Sequence, residues 1–268
     1  MLKDITLGQF FPGDTVAHRL DPRTKILLVV LYIVALFCAK SLLAYGILAA
    51  VLAVCVRISR VGIKSLVRGL KPVVFIIVFT GILNLFFTPG EHILAELGFL
   101  RISAEGLQNA VFMVLRIMLL IMGTFLMTYT TSPISLTDGL ERLLGGLKKI
   151  HVPVHEISMM MSIALRFIPI LLEETDKIMK AQMARGADFE SGNLLKRAKA
   201  MIPLLVPLFV SAFRRAGDLA MAMEARCYHG GPGRTRLRPL AYSRRDVGGV
   251  AVMAALFALV IATNFLPL

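Results

Sequence analysis

The chain has 268 residues, 57% of them hydrophobic, with a mean hydropathy of +0.75 and a formal net charge of +13. A soluble domain of this length does not carry so large an apolar fraction, so the composition points to a polytopic membrane protein with its charges outside the lipid. Those charges fall between apolar runs, with no basic stripe interleaved with aromatics, which sets nucleic acid aside as a partner.

The three cysteines, Cys38, Cys55 and Cys227, are scattered and match neither a disulfide framework nor a zinc pattern. In chain order, the opening 25 residues carry acids and proline without an apolar run, unlike a signal peptide. The apolar block that follows is too long for one crossing, since about 20 residues span a bilayer. It is read as two short spans, 26–39 and 42–56, joined by a tight turn at Lys40. Next comes "RISRVGIKSLVRGLK", with Arg57, Arg60, Lys64, Arg68 and Lys71 and no acid. A third span is expected over 72–88, then an acidic loop, then a fourth span over 107–131. Charge rises from 132 to 246, and a fifth span is expected over 247–266.

The expected organisation is therefore all-α. A transmembrane region, 1–131, precedes a region at 132–246 that is cytoplasmic or interfacial, and a C-terminal span occupies 247–268. Lys and Arg number four before the first span, five between the second and third, one between the third and fourth, and eighteen between the fourth and fifth. That alternation puts the N-terminus in the cytoplasm.

Within 132–246, "SLTDGLERLLGGLKKI" places Ser135 and Asp138 in capping-box spacing, followed by leucines on one helical face. This predicts a short amphipathic helix at the membrane surface, broken by Pro153. Two long helices are then expected, over 155–184 and 194–228, the second with Pro203 and Pro207 near its start. Each passes from apolar to polar, and each closes on an Ala-Arg-small triplet: Ala184-Arg185-Gly186 and Ala225-Arg226-Cys227. A lone Arg at a helix C-terminus is usually a dipole partner. Two on rigid helices read as prongs, because a guanidinium offers a planar fork to carboxylates and backbone carbonyls.

Catalytic signatures are missing. The sequence has neither G-x-x-x-x-G-K-[ST] nor H-E-x-x-H. His151 and His155 flank Pro153 and read as loop residues rather than metal ligands. Glu173, Glu174 and Asp176 have the chemistry to hold Mg²⁺, but Lys177 and Lys180 follow at helical spacing, and a solvated ion-paired face is the favoured reading. No catalytic residue and no metal site is assigned. Arg116, inside the fourth span, is either functional or a snorkelling side chain. Met159, Met160, Met161, Met179, Met183, Met201, Met221 and Met223 crowd the long helices, as packing or as an adaptable docking face. Ala212, Ala216 and Ala220 form a small stripe suited to a close helix crossing.

With "LDPRTKILL" before the first span, five spans, and long helices ending in "ARG" and "ARC", the whole chain resembles the transmembrane T component of energy-coupling factor (ECF) transporters. The resemblance implies a non-catalytic scaffold in a prokaryotic cytoplasmic (inner) membrane. It would join two cytoplasmic ABC-type ATPases to a small membrane S component for ATP-driven uptake of vitamins or other micronutrients. The two triplets would be the ATPase-coupling motifs, with Cys227 where Gly is usual. Met159, Met160, Met161, Met179, Met183, Met221 and Met223 would dock the S component. The chain itself would bind no cofactor, and ATP and Mg would belong to the ATPases. Its other partner would be membrane lipid. Two other classes stay open: a self-contained channel or secondary carrier using Asn84 and Arg116, and a Mg²⁺-dependent intramembrane transferase using Glu173 and Asp176.

Overall fold

The computed structural model describes residues 10–89, 92–97, 100–189, 193–231 and 239–264. The first part of the opening segment and the end of the fifth expected span lie outside the described residues. Contacts divide the chain into two units, one formed by Gly8–Gly139 with Leu240–Leu268 and the other by Leu140–Pro239.

The first unit is built from helices whose apolar residues recur every three or four positions. Helix α1 (Pro22–Cys38) starts at a proline, which suits a first helical position, and the Asp21 side chain accepts the Arg23 N–H at 2.9 Å. Helix α2 (Leu42–Ser59) is capped by Ser41, whose Oγ accepts the Ala44 N–H at 3.2 Å. Helix α3 (Ile63–Leu70) leads through a 3₁₀ turn at Lys71–Val73 into α4 (Val74–Phe87). Helices α5 (Ala104–Thr130) and α9 (Arg244–Thr263) complete the unit's long elements. Tyr32 and Leu36 of α1, Tyr45, Leu48 and Leu52 of α2, Leu119 and Tyr129 of α5, and Leu256 and Val260 of α9 form its buried core. Close packing is explicit at Gly123, where an added Cβ would lie 2.6 Å from the Tyr32 ring.

Polar contacts tie both ends of α1 to α9. At the start of α1, the Asp21 backbone N–H donates to Asp246 Oδ1 at 2.8 Å. Asp246 also closes a capping box with Ser243, accepting its N–H and its hydroxyl at 2.7 Å each. Arg23 forks onto Asp21 through Nε and Nη2, at 3.0 and 2.9 Å, and stacks 3.9 Å over the Tyr242 ring. The buried Lys25 donates to the Thr130 carbonyl at 2.8 Å. The "LDPRTK" segment is thus a connector between α1, α5 and α9. At the far end of α1, Asn264 accepts the Lys40 N–H at 3.1 Å and donates to the Cys38 carbonyl at 2.7 Å.

The second unit carries α7 (Val154–Ala184) and α8 (Leu194–Glu224), each 31 residues long. Helix α6 (Pro133–Leu143), followed by a 3₁₀ segment at Leu144–Ile150, leads into it. The chain turns at His151, in the left-handed region at φ 61°, and Pro153 precedes α7.

Three sequence expectations change. The acidic loop contains two antiparallel strands, β1 (Ile93–Leu97) and β2 (Leu100–Ser103), with Glu96 opposite Arg101 and a bulge between Ile93 and Ala95. The surface helix starts earlier than the Ser135/Asp138 pattern implied. Pro133 is its first residue, and Ser132 Oγ accepts the Ser135 N–H at 3.2 Å. Among the described residues, six helical segments are long and apolar enough to cross a membrane by length and composition: α2, α3–α4, α5, α7, α8 and α9. The first expected span, α1, has 17 residues and falls short of that set, while α7 and α8 enter it. Seventeen residues is the short end of the range that crosses a bilayer, about 17 to 25, so α1 misses that set by a single residue.

Candidate coupling site on the two long helices

Helices α7 and α8 run antiparallel. Gln182 of α7 donates to the Pro203 carbonyl of α8 at 3.5 Å, and Glu174 of α7 accepts from Arg215 of α8 at 2.8 Å. As the numbering rises along one helix, its partner's falls. Pro169 in α7 and Pro203 and Pro207 in α8 lie inside the helices, where each proline removes a backbone hydrogen bond.

Both helices end in the same cap. After α7, Gly186 lies in the left-handed region at φ 89°. Its N–H donates to the Met183 carbonyl at 2.9 Å, and the Ala187 N–H reaches back to the Gln182 carbonyl at 3.0 Å. After α8, Ala225 keeps right-handed helical geometry and Cys227 turns left-handed at φ 55°. The Cys227 N–H donates to the Glu224 carbonyl at 2.8 Å, and the Tyr228 N–H to the Met223 carbonyl at 3.0 Å. These are the paired 5→2 and 6→1 bonds of a Schellman motif, formed twice. Each triplet therefore has a structural logic. The arginine lies just past the last helical turn, and the small residue after it reverses the chain.

The caps leave both arginines outward. Arg185 and Arg226 are exposed, and neither pairs with an acid among the described residues. Because the helices are antiparallel, the two caps lie at opposite ends of the pair. Arg185 lies eleven residues beyond Glu174, and Arg226 eleven residues beyond Arg215. At 1.5 Å per residue, each guanidinium-bearing end is about 16 Å along its helix from the ion pair.

Other residues singled out in the sequence divide as follows. Of the methionines, Met160, Met161, Met183, Met201 and Met221 are exposed, and Met159, Met179 and Met223 are half-buried. The alanine stripe is not where α8 meets α7. Ala216 and Ala220 are exposed, Ala212 is half-buried, and the polar contact runs through Arg215. In the acidic cluster, Glu174 pairs with Arg215 and Asp176 with Lys180 at 2.8 Å. His155 Nδ1 lies 3.0 Å from Glu141 Oε1. No group of three or more potential metal ligands occurs among the described residues. Arg116 donates through Nε to the Tyr45 hydroxyl at 3.0 Å and points Nη2 at the Ala39 carbonyl, 3.5 Å away. Sequence reasoning missed the Glu174–Arg215 contact. Its only signal was an acid and a base 41 residues apart, the same separation as Arg185 and Arg226.

Comparison with known proteins extends this geometry. A family model described as cobalt transport protein, CbiQ, matches residues 13–237. Curated relatives named energy-coupling factor transporter transmembrane protein EcfT align over nearly their whole length. The protein from Acidaminococcus fermentans is 55% identical, covering 97% of this chain and 96% of its own. Its counterpart from Clostridium kluyveri is 53% identical, at 97% and 95% coverage, and that from Bacillus subtilis 48%, at 97% and 98%.

Proposed function

The chain belongs to the CbiQ cobalt transport protein family, as the transmembrane component of an energy-coupling factor transporter, and we propose that it works there as a mechanical scaffold. It links two cytoplasmic ABC-type ATPases to a small substrate-binding S component and so drives uptake of a vitamin or another micronutrient. The chain performs no catalysis and binds no cofactor of its own, since ATP and Mg²⁺ act on the ATPases. It sits in the cytoplasmic membrane of a prokaryote with its N-terminus in the cytoplasm, the orientation that keeps its basic loops inside.

One observation carries this reading: two helices of equal length end in the same cap, each presenting an exposed arginine that pairs with no acid among the described residues, at opposite ends of an antiparallel pair. Two equivalent prongs suit two equivalent motor subunits. Ala184-Arg185-Gly186 enters one ATPase and Ala225-Arg226-Cys227 the other. Each guanidinium meets carboxylates and backbone carbonyls in a surface groove. When ATP draws the ATPases together, the prongs approach and the helices act as levers. Met160, Met161, Met183 and Met221 offer exposed, adaptable apolar side chains on those levers, with Met159, Met179 and Met223 half-buried, and the S component docks there.

Co-expression of the chain with its candidate ATPases tests the proposal. The unsubstituted chain should capture ATPases, Arg185→Glu or Arg226→Glu should weaken capture, and the double reversal should abolish it. A double reversal that retained both capture and ATP-driven uptake would remove the arginines from the coupling role.

A further inference from the structure

The first unit has a second charged feature, far in sequence from the coupling caps. Helix α3 has three distinct surfaces. Leu66 and Leu70 are buried, an added Cβ at Gly69 would lie 2.4 Å from the Phe125 ring of α5, and the Ser65 carbonyl accepts the Tyr129 hydroxyl at 3.3 Å. That surface holds α3 to α5. Successive residues turn by about 100°, so Lys64, Arg68 and Lys71 line the side of α3 away from α5. All three are exposed, and none pairs with an acid among the described residues. Beside them, Ile63 and Val67 form an apolar strip that is 66% and 51% exposed.

An exposed apolar strip next to an unpaired basic strip is unfavourable in water and unfavourable in hydrocarbon. It fits one place, the boundary between acyl chains and headgroups. Continuity supports that placement, because Ile63–Phe87 forms one of the segments long and apolar enough to cross a membrane, and the basic strip marks its first end. The stretch from Arg57 to Lys71 holds five cations and no acid, and none of the five pairs with an acid among the described residues.

We propose that the outer face of α3 is a docking surface for anionic phospholipid, with Lys64, Arg68 and Lys71 holding the headgroup phosphates and Ile63 and Val67 lying against the upper acyl chains. Positive charge placed for topology alone would need no apolar strip beside it. The inference concerns this chain's own contact with lipid and stands apart from the ATPase partners.

The chain has no tryptophan, so Val67→Trp places a single tryptophan on the apolar strip, excited apart from the five tyrosines. The full-length V67W protein would be reconstituted in phosphatidylcholine vesicles containing either brominated phosphatidylglycerol or brominated phosphatidylcholine at the same mole fraction. Bromine quenches on contact, so quenching reports the local share of each lipid. A single surface cation favours anionic lipid by about fivefold. Brominated phosphatidylglycerol should therefore appear enriched by at least about that factor, less so at high salt. In the V67W background, K64Q/R68Q/K71Q should lose the preference while brominated phosphatidylcholine still quenches, and the charge-preserving K64R/R68K/K71R should keep it. Equal quenching by the two lipids in the V67W protein, or no quenching by either, would overturn the proposal. So would a preference that survived in the neutral variant, or a neutral variant that lost quenching by both lipids.

Discussion

Glu174 and Arg215 meet at 2.8 Å, at a point equidistant in sequence from the two capping arginines of their helices. Each guanidinium tip lies eleven residues beyond its own member of the pair, so any rotation about this contact moves both tips by equal amounts. The Glu174 and Arg215 side chains remain 27% and 37% exposed, which limits the energy of the pair to about 1 kcal/mol. Its value is geometric, in fixing where the levers cross. Glu174→Arg or Arg215→Glu alone should lower ATP-driven uptake by setting like charges face to face, and the double exchange should recover most of it. A cycle of thermal unfolding measurements should give a coupling of about 1 kcal/mol. Additive losses with no recovery would show that the crossing is held elsewhere.

The two caps are alike in hydrogen bonding and unlike in strain. Gly186 adopts φ 89° without penalty, whereas Cys227 holds φ 55° with a side chain attached. Cys227→Gly should stabilise the end of α8 by about 1 kcal/mol, and Gly186→Ala should destabilise the end of α7 by about as much. Nothing lies within 4 Å of a Cβ added at Gly186, so that cost is purely a backbone one. Hydrogen exchange of the final turn of each helix is the measurement. Slower exchange near Glu224 in Cys227→Gly and faster exchange near Ala184 in Gly186→Ala are expected. Unchanged rates in both would mean the caps do not limit local opening.

Much of this architecture could be read from periodicity. Apolar runs located the helices, and the two triplets stood out because they recur after similar Met-rich stretches. The physics of the caps was only half visible. Gly186 signals a left-handed residue, but Cys227 does not, since a β-carbon normally disfavours that region. The surface helix starts at Pro133 because Ser132 competes with Ser135 for the capping role, and both are good caps. Ala216 and Ala220 suggested a crossing by size alone, yet both are exposed, and the polar contacts between the helices are made by Gln182 with the Pro203 carbonyl and Glu174 with Arg215. The roles of Asp21 and Asp246 depend on a pairing across 225 residues, which no local pattern encodes.

Asp246 is the hub of the polar cluster that joins α1 to α9. It is 2% exposed and accepts from the Asp21 N–H, the Ser243 N–H and the Ser243 hydroxyl. Hydrogen bonds to a charged acceptor contribute about 1.5–3 kcal/mol each, and a buried donor left without its partner carries a further penalty. Asp246→Ala should therefore destabilise the protein by about 3 kcal/mol, with Asp246→Asn in between because it keeps one carbonyl acceptor. Thermal unfolding of the purified chain in detergent gives the ranking. Equal stability of the aspartate and alanine forms would show that helix packing alone holds α1 against α9.

Arg116 is anchored rather than free. Its Nε donates to the Tyr45 hydroxyl at 3.0 Å, its second nitrogen points at the Ala39 carbonyl just past α1, and the guanidinium lies 5.5 Å from the Phe37 ring. The Ala39 carbonyl follows the C-terminal end of α1, where positive charge is favourable. This arrangement makes Arg116 a clasp between α5 and the α1–α2 turn. Tyr45→Phe removes one hydrogen bond and should cost about 1 kcal/mol, with fluorescence-detected unfolding as the readout. Arg116→Lys keeps the charge but loses the planar fork, and it should behave like Tyr45→Phe rather than like the unsubstituted chain. Combining the two should add little, because both act on the same bond. Full additivity would mean that Arg116 acts through some contact other than Tyr45. A large loss of uptake at unchanged stability would instead assign it a part in transport.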